Sequence, residues 1–172
     1  MSRLFWPILF FVVVGSALFV ALAYQEPPSQ QPTGPEILAP FSVSQAAPEA
    51  LVSDKEGQSR PIDELLGSKT LVVFWSGQCG ECRILLRELS SFIGGQPGMT
   101  VVLIAFRDTP EAAEVAMADY GVSLTTFFDR DGGAYQKWSA TLPGAYYLEG
   151  ETIQYFFPGR ISTEHLDALL TL

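Results

Sequence analysis

The segment Thr70–Cys82, TLVVFWSGQCGEC, constrains this chain more than any other. Its first six residues are a continuous β-branched and aromatic run, the pattern of a central strand buried on both faces. The two cysteines follow after a three-residue turn. They open a stretch in which Leu85, Leu89, Phe92 and Ile93 recur at helical spacing, so the pair is expected at the N-terminus of a helix from about Cys79 to Ile93, ended by Gly94-Gly95. Two intervening residues let the sulfurs meet as a disulfide, and the unpaired N–H groups of a helix start favour a thiolate at the first. Cys79 is therefore the expected nucleophile. Cys82, one turn further in, is the expected resolving thiol, which attacks a mixed disulfide and releases product.

The rest of the chain reads as an α/β domain. Ala50–Ile62 is expected to form a hairpin around Asp54–Gly57, followed by a helical turn at Asp63–Leu66. Thr100–Phe106 is a second buried strand, and Pro110 opens a helix that runs to about Asp119 and stops at Gly121. Strand, helix, strand, helix implies parallel pairing with right-handed crossovers. Beyond Thr125–Asp129 and a short helical stretch ending at Trp138, Ala145–Leu148 and Thr152–Phe157 flank Glu149-Gly150, read as a two-residue hairpin loop. A last helix begins with Ser162 as N-cap and buries Leu166, Leu169 and Leu170. The expected fold is a mixed central sheet, parallel first and antiparallel at the end, with helices on both faces.

Upstream lie two segments of different character. Leu4–Ala23 holds twenty residues without a charge, the length of a helix that crosses a membrane, preceded by Arg3 and followed by Glu26. Residues 1–24 are therefore expected to be a single-pass anchor in the cell inner membrane, with everything after Tyr24 on the periplasmic side. Ala21-Leu22-Ala23 also matches a signal-peptidase site, which leaves secretion after cleavage near Ala23 open. Residues 25–40, QEPPSQQPTGPEILAP, form a proline-rich spacer, and the domain proper spans 41–172. With 10 Lys+Arg against 19 Asp+Glu there is no basic cluster for nucleic acid. Two cysteines and one histidine make neither a disulfide scaffold nor a four-ligand zinc site. No cofactor is expected.

The segment Val72–Cys82, VVFWSGQCGEC, resembles the active-site strand and helix start of the thioredoxin-like superfamily. Leu142-Pro143, about sixty residues on, resembles that superfamily's second marker, and TTFFDRDGGAYQKW before it is similar to the corresponding stretch of membrane-anchored TlpA/ResA-type thiol-disulfide oxidoreductases. The resemblance covers roughly residues 45–172. It implies a thioredoxin-like fold and a redox-active Cys79–Cys82 disulfide. It also implies a cis proline at Pro143 against that disulfide, backbone groups of Leu142 that pair with substrate, and Trp75 as the tryptophan flanking the site. Partners would be protein thiols and disulfides outside the cytoplasm and a membrane electron donor, with the domain acting as a monomer. The implied activity is reduction of disulfides in exported proteins, including apocytochrome c maturation.

The departures from the family pattern shape the chemistry. The tryptophan before the first cysteine is Gln78 here, and the buried acid or amide that relatives carry in the strand corresponds to Val73, which leaves no general base beneath the sulfurs. Glu81, between the cysteines, is the nearest carboxylate in sequence; it either relays protons to Cys82 or is a solvated first-turn acid. Its charge disfavours a thiolate at Cys79, which makes the pair reducing. Gly144 stands where the cytochrome-maturation branch has a glutamate. Ser76 sits at the offset of a peroxidatic motif, three residues before Cys79, without the proline that motif needs. His165 is expected to face solvent or to cap its helix. The rival of another class is a non-enzymatic thioredoxin-like scaffold or Cu(I)-handling protein that uses the same two thiolates as ligands.

Overall fold

The computed structural model describes residues 40–93 and 98–170. The expected membrane helix at Leu4–Ala23, nearly all of the spacer and the Gly94-Gly95 stop lie outside the described residues. Among the described residues no helix is long and apolar enough to cross a membrane.

Among the described residues, eight strands form one mixed sheet. In chain order the elements are β1 (Phe41–Ala46), β2 (Leu51–Ser53), β3 (Ser59–Pro61), a 3-10 turn (Asp63–Leu65), β4 (Lys69–Trp75), α1 (Gly80–Ile93), β5 (Thr100–Phe106), α2 (Pro110–Tyr120), β6 (Thr126–Asp129), α3 (Gly133–Lys137), β7 (Gly144–Glu149), β8 (Thr152–Pro158) and α4 (Thr163–Leu170). The strand order is β1-β8-β7-β4-β5-β6-β2-β3. β4, β5 and β6 are parallel, as the alternation of strand and helix implies, and the flanking strands are antiparallel.

The continuous apolar run of β4 follows from burial on both faces. Leu71, Val73 and Trp75 point into a core built with Leu85, Leu86 and Leu89 of α1, Met117 and Tyr120 of α2, and Leu166 and Leu169 of α4. Val72 and Phe74 point the other way, into a second core with Ile62, Ala134, Trp138 and Tyr146. Phe74 lies at the centre of an aromatic group there, with the rings of Trp138, Tyr146 and Tyr135 at 5.9, 6.1 and 6.2 Å. α3 starts on that face because the buried Asp129 carboxylate accepts the N–H groups of Ala134 and Tyr135 at 3.1 and 2.7 Å. Helices thus cover both faces.

Three details differ from expectation. β1 has no counterpart in the sequence reading; it pairs with the outer edge of β8 and is interrupted at Ser42–Gln45, where Ser44 takes a positive φ of 53°. The β7–β8 loop is Gly150-Glu151, one residue later than read, because Glu149 still pairs with Thr152. His165 neither caps α4 nor faces open solvent. Ser162 does the capping, accepting the His165 N–H at 3.2 Å, while the imidazole lies 5.7 Å from the Phe157 ring with Nδ1 enclosed.

Candidate active site

The site lies beyond the carboxyl ends of the parallel strands, where open α/β sheets leave a crevice. β4 ends at Trp75, Ser76–Gln78 turn the chain, and α1 begins at Gly80. Cys79 therefore occupies the position just before the helix. There its sulfur accepts the Cys82 N–H at 3.2 Å, the bond an N-cap side chain makes to the third helical residue. Cys79 and Cys82 are joined as a disulfide, with Cα atoms 5.2 Å apart. Cys79 is partly exposed and Cys82 is 0% exposed, packed with Leu85 and Trp75. That asymmetry leaves one sulfur within reach of an incoming reactant and the other out of it.

The turn before Cys79 is clamped on both sides. The Gly77 N–H donates to Asp108 Oδ2 at 2.7 Å, and its carbonyl accepts the Tyr120 hydroxyl at 3.0 Å. Asp108 follows β5 and is only 7% exposed; its other oxygen faces the Ser76 hydroxyl at 3.4 Å, and that hydroxyl accepts the Gln78 N–H at 3.3 Å. A Cβ on residue 77 would stand 3.1 Å from the Ala116 Cβ, so any larger residue would require α2 to give way by a few tenths of an ångström. Tyr120 is itself fixed from α1: Arg87 Nε donates to its carbonyl at 3.0 Å, and the Arg83 guanidinium lies 5.0 Å from its ring centroid. Asp108 and Tyr120 escape a sequence reading because their partner is a backbone group 31 and 43 residues away. The one available signal was a carboxylate set directly after a buried parallel strand. It supplies the buried acid near the site that Val73, fully enclosed in the core, does not.

The second wall is the loop before β7. The Leu142–Pro143 bond is cis and Pro143 is buried. Gly144 pairs with Phe74, so the register sets Pro143 beside the carboxyl end of β4, next to the turn that carries Cys79. The Pro143 carbonyl accepts both the Thr141 hydroxyl and the Gly159 N–H at 2.9 Å. Leu142 is half-buried, with its side chain against the core on the far face of the sheet. A Cβ at 144 would fall 2.8 Å from the Thr141 carbonyl oxygen and 2.5 Å from its hydroxyl, which no side chain tolerates without a shift of the loop. Gly144→Ala is accordingly expected to lower stability by about 1–3 kcal/mol. Urea unfolding and a disulfide-exchange assay should show both stability and turnover falling; unchanged values in both would mean that the loop yields freely.

The other two residues singled out from sequence are also placed. Trp75 is fully buried in the core shared with Cys82, and its indole N–H donates to Thr126 Oγ1 at 3.0 Å. Glu81 is exposed over 53% of its side chain but is not simply solvated: Arg160 Nη1 lies 3.6 Å from its Oε2.

A CxxC disulfide at a helix start after the central strand, beside a cis-proline loop, defines a thioredoxin-like thiol-disulfide oxidoreductase. Residues 43–156 match the model of the AhpC/TSA family, and the chain belongs to that family. No sequence among curated proteins matches it. Solved structures share the fold. A secreted Mycobacterium tuberculosis disulfide oxidoreductase described as homologous to E. coli DsbE is 20% identical, with a TM-score of 0.63 over 72% of this chain and 96% of that one. StoA from Bacillus subtilis is 19% identical, with a TM-score of 0.60 over 72% and 97%. A peroxiredoxin-like protein from Aquifex aeolicus is 14% identical, with a TM-score of 0.63 over 78% and 90%.

Proposed function

We propose that this protein reduces disulfides in exported proteins through the Cys79–Cys82 pair. The observation that carries the exchange chemistry is the asymmetry of the disulfide, Cys79 partly exposed and bonded to a helix-start N–H and Cys82 enclosed. The reducing direction rests on the compartment, because Arg160 offsets the Glu81 charge that the sequence alone set against the thiolate. In the reduced protein the Cys79 thiolate attacks a substrate disulfide, forming a mixed disulfide and expelling one substrate thiolate. Cys82, deprotonated, then attacks the Cys79 sulfur and expels the second. Two electrons and two protons pass from the dithiol to the substrate, and a donor dithiol at the membrane restores the pair. Glu81 and the buried Asp108 are the carboxylates near this exchange, and Leu142 and Pro143 offer backbone beside it.

The location rests on the sequence. Leu4–Ala23 anchors the chain in the inner membrane, the spacer holds the domain on the periplasmic side, and the alternative is release after Ala23. An oxidising compartment supplies disulfides without help and needs dedicated reduction for thiols such as the haem-attachment cysteines of apocytochrome c. Protease treatment of intact spheroplasts should remove the domain; protection of the domain would place it inside and end this part of the reading.

The activity is tested by titrating the detergent-solubilised full chain in glutathione buffers and following both thiols by alkylation. A reversible midpoint below roughly −230 mV supports a reductase, and one near about −120 mV reverses the direction of flow. If no reversible disulfide forms, the pair is not a redox couple.

A further inference from the structure

Arg160 lies in the turn between β8 and α4, and only 21% of its side chain is exposed. Its guanidinium spans two turns of α1, with Nη1 3.6 Å from Glu81 Oε2 and Nη2 3.5 Å from Glu88 Oε1. Glu81 and Glu88 are seven residues apart and so share one helix face. Glu88 is the more enclosed of the two carboxylates, at 26% against 53%. It holds the cation in place, and Glu81 is the member that reaches the first turn, between the two cysteines. The residue before Arg160 is tied to the opposite wall: the Gly159 N–H donates to the Pro143 carbonyl at 2.9 Å. One short turn thus joins the cis-proline loop to the cysteine helix and brings a positive charge to the start of that helix.

We propose that Arg160 is a positioning residue that sets the reactivity of Cys79 by neutralising Glu81; the inference rests on the redox role of the pair and assigns its control. An unpaired carboxylate at residue 81 opposes a thiolate at Cys79, and the guanidinium cancels that opposition. Two other charged side chains bear on the turn that carries Cys79, and neither is altered by substitution at Glu81 or Arg160, so their effect on the sulfur stays constant. Asp108, after β5, is bonded to the Gly77 N–H, and Arg83 on α1 lies over the Tyr120 ring of α2. The loop before β7, Thr141–Pro143, carries no ionisable side chain. Arg160 is therefore the cation whose partner sits within the CxxC sequence itself.

The experiment is the pH dependence of Cys79 alkylation in the chemically reduced full chain, for wild type, R160M, R160K, E81Q and the double variant E81Q/R160M. Methionine fills the buried stem of Arg160 without charge. R160M is expected to lower the thiolate fraction at neutral pH by about threefold to tenfold, the scale of one uncompensated, partly screened charge at the edge of the site. R160K should restore most of it. E81Q should raise the fraction above wild type, because Arg160 stays on Glu88, and the double variant should return close to wild type. A merely structural Arg160 would alter stability without this reversal of sign. An unchanged alkylation profile in R160M, or an E81Q effect that persists in full in the double variant, overturns the proposal. If R160M does not fold, E81Q decides at an exposed position: a thiolate fraction no higher than wild type overturns it. Chemical reduction makes the result independent of the glutathione titration, so failure of the redox couple and failure of this coupling are told apart.

Discussion

Cys79→Ser is expected to abolish turnover in a disulfide-reduction assay, a loss of at least about a thousandfold, since the chain's other thiol, Cys82, is fully enclosed. Cys82→Ser should behave differently. Cys79 keeps its exposure and its Cys82-position N–H, a backbone group that serine retains, so the first attack proceeds and stops at the mixed disulfide. The prediction is thus a pair of phenotypes: one variant inert, the other blocked after a single covalent event with its substrate attached. Non-reducing electrophoresis of cells expressing Cys82→Ser should show reductant-sensitive adducts, and Cys79→Ser should show none. Adducts formed equally by Cys79→Ser would assign the nucleophile to Cys82 and contradict the burial that separates the two sulfurs. Both variants should fold, because a disulfide closing a three-residue separation constrains the unfolded chain little.

The placement of this pair was legible in the sequence, because it follows from local rules: the buried strand and the helical spacing after it set Cys79 just before the helix, and the residue one turn on faces the core. The same holds for β4, whose two-sided burial demands an unbroken apolar run, and for β5, found at Thr100–Phe106 as read. Elements fixed from outside themselves were not legible. Phe41–Ala46 is exposed along nearly its whole length and alternates apolar and polar only over Phe41–Ser44, too short a signal on an exposed segment, so its pairing with β8 is what makes it a strand. The carboxylate near the site was sought in the strand under the sulfurs, at Val73. It comes instead from Asp108 beyond the next strand, where Asp-Thr-Pro reads as an ordinary helix entry and Thr109 does cap α2. Glu81 appeared in sequence as a free acid because its counter-ion is 79 residues away, brought near only when the β8–α4 turn folds back onto α1. Gly144 was read as a missing glutamate, whereas the structure gives a reason for its smallness in the close approach of Thr141.

Trp75→Ala should be the most damaging substitution for stability, at about 3–5 kcal/mol. The indole is among the largest fully enclosed side chains, and its removal opens a void shared by Leu85, Cys82 and the underside of α1. It also breaks a short relay: Trp75 Nε1–H donates to Thr126 Oγ1, and the Thr126 hydroxyl donates to the Leu103 carbonyl at 3.3 Å, linking β4, β6 and β5. For a domain of this size the loss corresponds to a fall in Tm of about 10–20 °C. Trp75→Phe separates the two contributions. It keeps most of the volume and leaves Thr126 its bond to Leu103, so it should cost only about 1–2 kcal/mol. The decisive comparison is with the wild-type protein in its two redox states. The pair closes a very small loop, so reduction alone should move the wild-type Tm by much less than Trp75→Ala does, and the variant should be destabilised by a similar amount whether oxidised or reduced. A variant destabilised only in the oxidised state would instead mean that Trp75 acts on the disulfide itself. Equal losses in both states place it in the core that holds the end of β4, and through it Cys79, in position.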